Sequence, residues 1–491
     1  METDINQVSG TGTVRPEPAS FAPVVVQAGQ GVRLNWIAGL TAVHMVLGVL
    51  CKESRWVGSA HGLGTVVAGL YLVFAGRPRQ QIAYWAAYVV GAEILWRMSD
   101  APLPWEFAKY AISLVLMAGL IVRGVKRVVW IPILYFLMLL PGAAKPLLDL
   151  PFSIARQYIS FNLSGPLCVT VCAVFFSQVE LDNGRVQRLL SWLITPVSGI
   201  AAVALFGLLT HTNIEFGSGS NFAATGGFGP NQVSGILGLG ALYLVLMALS
   251  LELGKPLGLA LVLMALWFCA DAALSFSRSG IYLFGAALLA ATPFVPLRRL
   301  LHPLTLATAG VAILLGLGAW AYMDHFTGGK LNERFANLST TGRDRIARED
   351  LAIWRQHLIF GAGLGMSSAE REEAEGFRVA AHTEYTRLLA DHGLLGMFAL
   401  LCLLVAAGLN VLRRRISLGK AVIVAGTAWA FLYLAVSGMR TAAPALLIGL
   451  GFVHITAVPL LMTKKRRGGC RVFGGPVVSG PVVSSQWSRN R

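Results

Sequence analysis

Residues 256–276 read PLGLALVLMALWFCADAALSF, and Asp271 is the only charged residue in this stretch. A helix needs about 20 apolar residues to cross roughly 30 Å of hydrocarbon. Lipid offers no hydrogen-bond partners to a bare backbone, so such a run must be a helix or a strand of a closed barrel. Barrel strands alternate apolar and polar residues, whereas this run is continuously apolar. The stretch therefore predicts a membrane-spanning helix.

Similar runs recur along most of the chain. Of 491 residues, 55% are hydrophobic and 13% are charged, whereas soluble domains carry about 25% charged residues. The predicted fold class is therefore all-α, a polytopic membrane protein with about fourteen transmembrane helices. The predicted segments run roughly 34–51, 57–76, 81–98, 103–122, 128–142, 164–180, 189–210, 231–251, 256–276, 279–297, 303–323, 393–412, 421–437 and 441–462.

The distribution of basic residues predicts the topology. The formal net charge is +16, but Lys and Arg collect in short loops and at the C-terminus, as the positive-inside rule expects. This pattern disfavours nucleic-acid binding. With fourteen crossings the basic clusters of the short loops lie on one side, whereas Lys52 and Arg55 lie on the other and count against the rule. Both termini are then predicted to be cytoplasmic. The protein itself is predicted to lie in the inner membrane of a bacterium.

The segments divide the chain into five predicted regions. Residues 1–31 lack the features of a cleaved signal and are predicted to be a disordered cytoplasmic lead. Residues 32–323 hold helices 1–11, and residues 324–392 form a periplasmic loop subdomain. Residues 393–462 hold helices 12–14, and residues 463–491 form a basic cytoplasmic tail.

The long loop is expected to contain an amphipathic helix. Four apolar residues recur there at i, i+4, i+7 and i+11, which is a helical spacing. They are Ala347, Leu351, Trp354 and Leu358.

Ionisable residues at membrane depth are candidates for function because they are costly to bury. Asp271 and Arg278 lie seven residues apart, close to two helical turns, and would share a face if the helix continued. Asp271 could then hold the guanidinium, although an interfacial snorkelling arginine is the alternative for Arg278. Glu93 and Lys109 fall at similar depth and are expected to form a structural ion pair.

The long loop also carries three groups that suit phosphate chemistry. Residues 341–345 supply Arg343 and Arg345, residues 360–365 form a glycine-rich turn, and His382 opens an apolar helix. Arginine binds phosphate oxygens with a bidentate fork, and histidine suits a general base. No strand precedes the glycines, which disfavours a dinucleotide site. The combination suggests transfer from a lipid-linked diphosphate, and no Cys/His cluster has zinc spacing.

At these residues the chain resembles the O-antigen ligase and polymerase superfamily over roughly 217–400. Members show a Ser-Arg helix, then a large periplasmic loop with a Gly-Arg segment, a Gly-x-Gly-x-Gly turn and a His that opens a helix reaching Gly-Leu-Leu-Gly. In this chain the matching residues are Ser277-Arg278, Gly342-Arg343, Gly361 to Gly365, His382, Gly393 to Gly396 and Phe228 to Gln232.

The resemblance implies a GT-C-like helical enzyme without cofactor or metal. Such an enzyme moves a glycan from undecaprenyl diphosphate to an acceptor hydroxyl in the periplasm. Arg278 and Arg343 would hold the diphosphate, with Arg345 as the nearest rival of Arg343, and His382 would activate the acceptor.

Further side chains are expected to support this site. They are Asp271, Arg345, Glu384 and Asn231. Glu384 and Tyr385 stand where many relatives have Asn or Ser, so the acceptor is left open.

Several functions agree with these residues. The acceptor is a lipid A core in a lipopolysaccharide ligase, a growing glycan in an O-antigen or exopolysaccharide polymerase, and a protein hydroxyl in an O-oligosaccharyltransferase. From a different class, a polysaccharide or lipid-linked sugar transporter would also contact membrane lipids. Transporters place ionisable groups near the midplane on broken helices in repeated halves, and no internal repeat is evident here.

Overall fold

Helices make up nearly all of the regular structure in the part of the chain that the computed structural model describes. The described residues are 34–210, 214–217, 219–250, 256–337, 339, 342–375, 381–412 and 416–456. The predicted lead, residues 1–31, and the predicted tail, residues 463–491, lie outside the described residues.

The helices follow one another with few long connections. Those before the long loop are α1 Leu34–Glu53, α2 Arg55–Phe74, α3 Arg79–Met98, α4 Phe107–Arg123, α5 Trp130–Leu139, α6 Ala144–Asp149, α7 Phe152–Phe176, α8 Asn183–Thr210, α9 Pro230–Ser250, α10 Pro256–Leu274, α11 Arg278–Ala291, α12 Leu297–Leu300 and α13 Pro303–Phe326. The remaining helices are α14 Lys330–Ala336, α15 Arg343–Gln356, α16 Ser367–Glu375, α17 Glu384–Leu412, α18 Leu418–Ser437 and α19 Ala443–Leu450.

The predicted class of polytopic all-α membrane protein is confirmed. Among the described residues, 10 helical stretches are long and apolar enough to cross a membrane. The other four predicted segments coincide with α3, α4, α11 and α19, and the last three are only 17, 14 and 8 residues long. The count of fourteen crossings therefore stays a prediction.

The last predicted segment, 441–462, is helical over a shorter length than expected. Helix α19 ends at Leu450, and two strands, β1 Glu180–Leu181 and β2 His454–Ile455, then pair in parallel. The strand pairing supplies hydrogen-bond partners to backbone that has left the helix, as apolar surroundings require.

The centre of the bundle is built from α8, α9 and α18. In their most apolar stretches 72%, 83% and 72% of residues are buried, whereas α13 buries only Met323 near its end and therefore lies at the edge. Small residues allow close helix contacts, as is common in membranes. A Cβ on Gly238 of α9 would collide with the backbone of Gly280 in α11, so these two helices approach backbone to backbone.

The long predicted loop contains three helices, α14, α15 and α16. The amphipathic helix expected there is present as α15, but its buried residues are Asp350 and Ile353. The predicted stripe is displaced from them, and Leu358 lies beyond the helix end and is exposed. The reason is that Asp350 pairs with Arg371, which brings a charged residue to the buried face.

Arg97 connects distant helices at one end of the bundle. It donates to the Gln232 side chain at 2.7 Å and to the Arg440 carbonyl at 3.0 Å. We call this the Arg97 end. Lys52 also lies there and donates to the carbonyls of Met98 at 3.2 Å and Gly226 at 2.8 Å. Lys52, which counted against the positive-inside pattern, therefore binds backbone carbonyls in the structure.

The expected Glu93–Lys109 ion pair is wrong. Glu93 pairs instead with Arg97 at 2.6 Å, and Lys109 pairs with Glu106. Each partner lies three or four residues away on the same stretch of chain, a spacing that favours side-chain pairing along a helix.

Candidate active site

Arg278 follows a break between two helices. Helix α10 ends at Leu274 and α11 begins at Arg278, and Phe276 between them has a left-handed φ of 56°. Because the helix does not continue, Asp271 and Arg278 do not share the face that the sequence suggested. The Arg278 guanidinium donates instead to the carbonyls of Asn337 and Ser339, the latter at 2.5 Å.

The turn before Arg278 is fixed by two polar side chains of α9, Asn231 and Ser234. The Ser277 hydroxyl donates to the Asn231 side chain at 2.7 Å. The Ser234 hydroxyl accepts from the Gly280 amide at 3.0 Å and donates to the Ser277 carbonyl at 2.9 Å. Asn231 is thus placed as a support for the turn that carries Arg278.

Arg334 of α14 is a second cation beside this turn, and the sequence analysis did not select it. Its Nε donates to the Phe276 carbonyl at 2.9 Å. Burial lowers the pKa of Arg334, and the positive charge of Arg278 lowers it further.

Arg343 opens α15 and faces the same cations. Burial lowers the pKa of Arg343, and the next contribution comes from the charge of Arg278, followed by Arg440 and Arg334. Arg345, its rival, points elsewhere, since it is mostly exposed and pairs with Glu349 at 3.1 Å. The geometry therefore favours Arg343 over Arg345.

Arg440 lies between α18 and α19 and was also missed. Its Nη2 donates to the Ala381 carbonyl at 3.2 Å, and burial lowers its pKa. A single arginine in an otherwise uncharged connection, Ser437–Gly438–Met439–Arg440–Thr441, was the available signal in the sequence.

Four arginines thus form a cluster without acidic partners, which we call the arginine cluster. None of them makes an ion pair with a carboxylate among the described residues. By contrast, Arg97 and Arg371 have acidic partners, Glu93 and Asp350 respectively. Like charges that gather without compensation are typical of a site that binds an anion. The members of the cluster are Arg278, Arg334, Arg343 and Arg440.

His382 lies beside the arginine cluster. The pKa of the imidazole is lowered to about 4, first by burial and then, in decreasing order, by the positive charges of Arg440, Arg343 and Arg371. Its Nδ1 is buried and has no hydrogen-bond partner in the described structure. The imidazole is therefore neutral near pH 7 and available to accept a proton.

Glu384 takes a different position from the arginine cluster. It is buried at the start of α17, pairs with Arg387 and accepts from the Met439 amide at 3.3 Å. Glu384 therefore ties the start of α17 to the segment that carries Arg440.

The glycine-rich turn supports a break in α17 rather than a phosphate. Gly393 has non-helical angles, φ 60° and ψ −136°, inside this helix. The amides of Ala362 and Gly363 donate to the carbonyls of Ala390 and Asp391 at 2.7 and 3.2 Å. These amides are thus occupied by backbone that the break leaves without helical partners.

A cavity of about 500 Å³ lies between α7 and the start of α17. Side chains of α7 form one wall, and α17 with the segment 365–371 forms another. Ala381 and Arg440 both line it, so the cavity reaches the chain neighbour of His382 and one member of the arginine cluster. We call this the α7 cavity.

Together these features define a polytopic helical membrane protein with an uncompensated cationic site at one end of its bundle. Residues 259–401 match a family model described as O-antigen ligase. The resemblance inferred from the motifs is confirmed. Comparisons with curated proteins and with solved structures gave no match.

The matched region contains most of the site but not all of it. Arg278, Arg334, Arg343 and His382 lie within residues 259–401, whereas Arg440 lies outside them. The family match supports a membrane glycosyltransferase of the ligase or polymerase type.

Proposed function

We propose that this protein transfers a glycan from undecaprenyl diphosphate to an acceptor hydroxyl at the periplasmic face of the bacterial inner membrane. The observation that carries the proposal is a set of four arginines without carboxylate partners among the described residues, beside a neutral, half-buried histidine. The O-antigen ligase match supports the same class of reaction.

In the proposed reaction the arginine cluster holds the diphosphate. The acceptor oxygen attacks the anomeric carbon of the donor sugar and forms the new glycosidic bond. The bond from that carbon to the diphosphate oxygen breaks, and its electron pair leaves with undecaprenyl diphosphate. Guanidinium groups stabilise the charge that develops on the leaving oxygen, because they are already oriented before the reaction.

His382 takes the proton of the acceptor hydroxyl. In the empty site its pKa of about 4 would make it a weak base. A bound diphosphate brings negative charge to the arginine cluster and offsets the cations that lower this pKa. The imidazole thereby becomes a stronger base only when the donor is present, which limits reaction in its absence.

Purified protein in detergent gives the test of this proposal. Undecaprenyl-diphosphate glycan, extracted from a strain that lacks the protein, is supplied with a membrane extract of the same strain as acceptor. We expect release of undecaprenyl diphosphate together with formation of a larger glycan, and loss of both in Arg278→Ala and His382→Ala. A transporter needs two compartments, so absence of transfer in detergent would favour transport over transfer.

A further inference from the structure

The α7 cavity is built from polar groups that are held in place by one another. Arg387 donates to Asn162 at 2.9 Å and to Asp391 at 3.0 Å, and it also pairs with Glu384. Side chains fixed in this way present hydrogen-bonding atoms to the cavity with little further loss of conformational entropy.

Two polar side chains of the cavity wall have no partner in the described structure. The Ser437 hydroxyl is buried and makes no hydrogen bond there. Gln157 lies on α7 at the exposed side of the cavity, and its side chain has no hydrogen-bond partner among the described residues. An unsatisfied buried hydroxyl costs about 1–3 kcal/mol, which a polar ligand would offset.

The charge of the lining favours an uncharged ligand. Three of its four cations are matched by carboxylates: Lys109 by Glu106, Arg371 by Asp350, and Arg387 by Glu384 and Asp391. Arg440, which also belongs to the arginine cluster, has no carboxylate partner among the described residues. The cavity thus differs from the arginine cluster, where cations stand without compensation.

The shape and surface of the cavity suit a sugar better than a peptide. Phe161, Tyr158 and Met439 add apolar surface beside the polar groups, and a sugar ring has both hydroxyl edges and apolar C–H faces. Peptides are commonly bound along an open sheet edge or in a helix groove. The sheet that the structure describes is the pair β1–β2, which lies away from this cavity.

We propose that the α7 cavity binds the terminal sugar of the acceptor, so that the acceptor is a saccharide and not a protein. This inference rests on the proposed function. It places the acceptor sugar on one side of His382 and the donor diphosphate on the other, with Arg440 between the two.

The experiment uses the purified full-length protein with the extracted donor and two acceptor fractions from the strain that lacks it. One fraction is its glycans and glycolipids, and the other is its periplasmic protein. We expect the glycan fraction alone to stimulate release of undecaprenyl diphosphate. Stimulation by the protein fraction alone would overturn the inference and leave the proposed function standing. If neither fraction stimulated release of undecaprenyl diphosphate, the proposed function itself would be contradicted.

Variants connect the result to the cavity. Gln157→Trp fills its mouth and Ser437→Ala removes a buried hydroxyl, so both should raise the half-saturating concentration of the glycan fraction, by about tenfold for the loss of a good hydrogen bond. Half-saturation by the donor should change less than about twofold. Arg156→Trp, an exposed neighbour on α7 outside the lining, is the matched control. Unchanged glycan saturation in both cavity variants would overturn the inference.

Discussion

The guanidinium of Arg440 donates a hydrogen bond to the carbonyl of Ala381 at 3.2 Å. This contact fixes the residue before His382 to the connection between α18 and α19, which lies far along the chain. Because Arg440 also makes the largest charge contribution to the pKa of His382, it links the candidate base with the arginine cluster.

Arg440→Ala is therefore expected to reduce transfer strongly. Removing one oriented donor from a charge-stabilising site commonly costs about 100-fold in turnover, and the support of the His382 backbone is lost as well. Arg345→Ala is the control, since Arg345 is exposed and pairs with Glu349. Equal rates for the two variants, measured by release of undecaprenyl diphosphate, would remove Arg440 from the site.

Replacement of Arg343 by lysine tests the geometry of the proposed diphosphate contacts. Lysine keeps the charge but lacks the planar fork of arginine. We expect turnover by Arg343→Lys to fall by about tenfold, which corresponds to ~1.4 kcal/mol. Near-normal turnover would show that charge alone is sufficient at this position.

The pH dependence should report the cations around His382. The neutral imidazole is the active form, so activity is lost as the pH falls through its pKa. The pKa is about 4 in the protein without bound donor. The kcat/KM for the donor should therefore be nearly constant from pH 7 down to about pH 5. An acidic limb centred near 6.5, the ordinary value for histidine, would contradict the lowered pKa.

A pair of substitutions at Arg440 tests the cause of that lowered pKa. Arg440→Gln removes a positive charge, so the pKa of His382 and the acidic limb should move to higher pH. Arg440→Lys keeps the charge and should leave the limb in place. If both variants showed the same limb, the charge of Arg440 would not be what lowers the pKa.

The glycine-rich turn is predicted to matter for stability. Gly361 has a φ of +71°, and a Cβ there would collide with the backbone of Asp391 and His392. Gly361→Ala should lower the free energy of unfolding by about 2 kcal/mol or more, seen as a lower melting temperature in detergent. Gly310→Ala in α13, where a Cβ meets nothing within 4 Å, should melt like the parent protein.

Chelation tests the proposal that no metal takes part. Transfer by the purified protein should persist after treatment with a chelator, because guanidinium groups hold the diphosphate in this account. Loss of transfer on chelation, with recovery on addition of a divalent cation, would show that a metal is required.

The sequence was informative where function depends on local motifs. Arg278, Arg343 and His382 were selected from short patterns, and the structure places Arg343 near Arg278 and His382 near Arg343. Their roles remain predictions. The helical segments were recognisable because a long apolar run has few other structures available to it in lipid.

The sequence was less informative where side chains choose between partners. Arg440 was missed because its proximity to His382 depends on how helices that are distant in the sequence pack against one another. The Asp271–Arg278 arrangement required a continuous helix, whereas the chain breaks at Ser275–Ser277. Glu93 pairs with Arg97 of its own helix and not with Lys109. The depth of a residue in the membrane, which is what the sequence indicates, does not determine its partner.

Binding of undecaprenyl diphosphate to the purified protein tests the central claim most directly. The parent protein and Arg345→Ala should bind it with similar affinity, and Arg343→Ala/Arg440→Ala should lose most of that binding while remaining folded in detergent. Equal affinity in all three proteins would contradict the role of the arginine cluster as the diphosphate site.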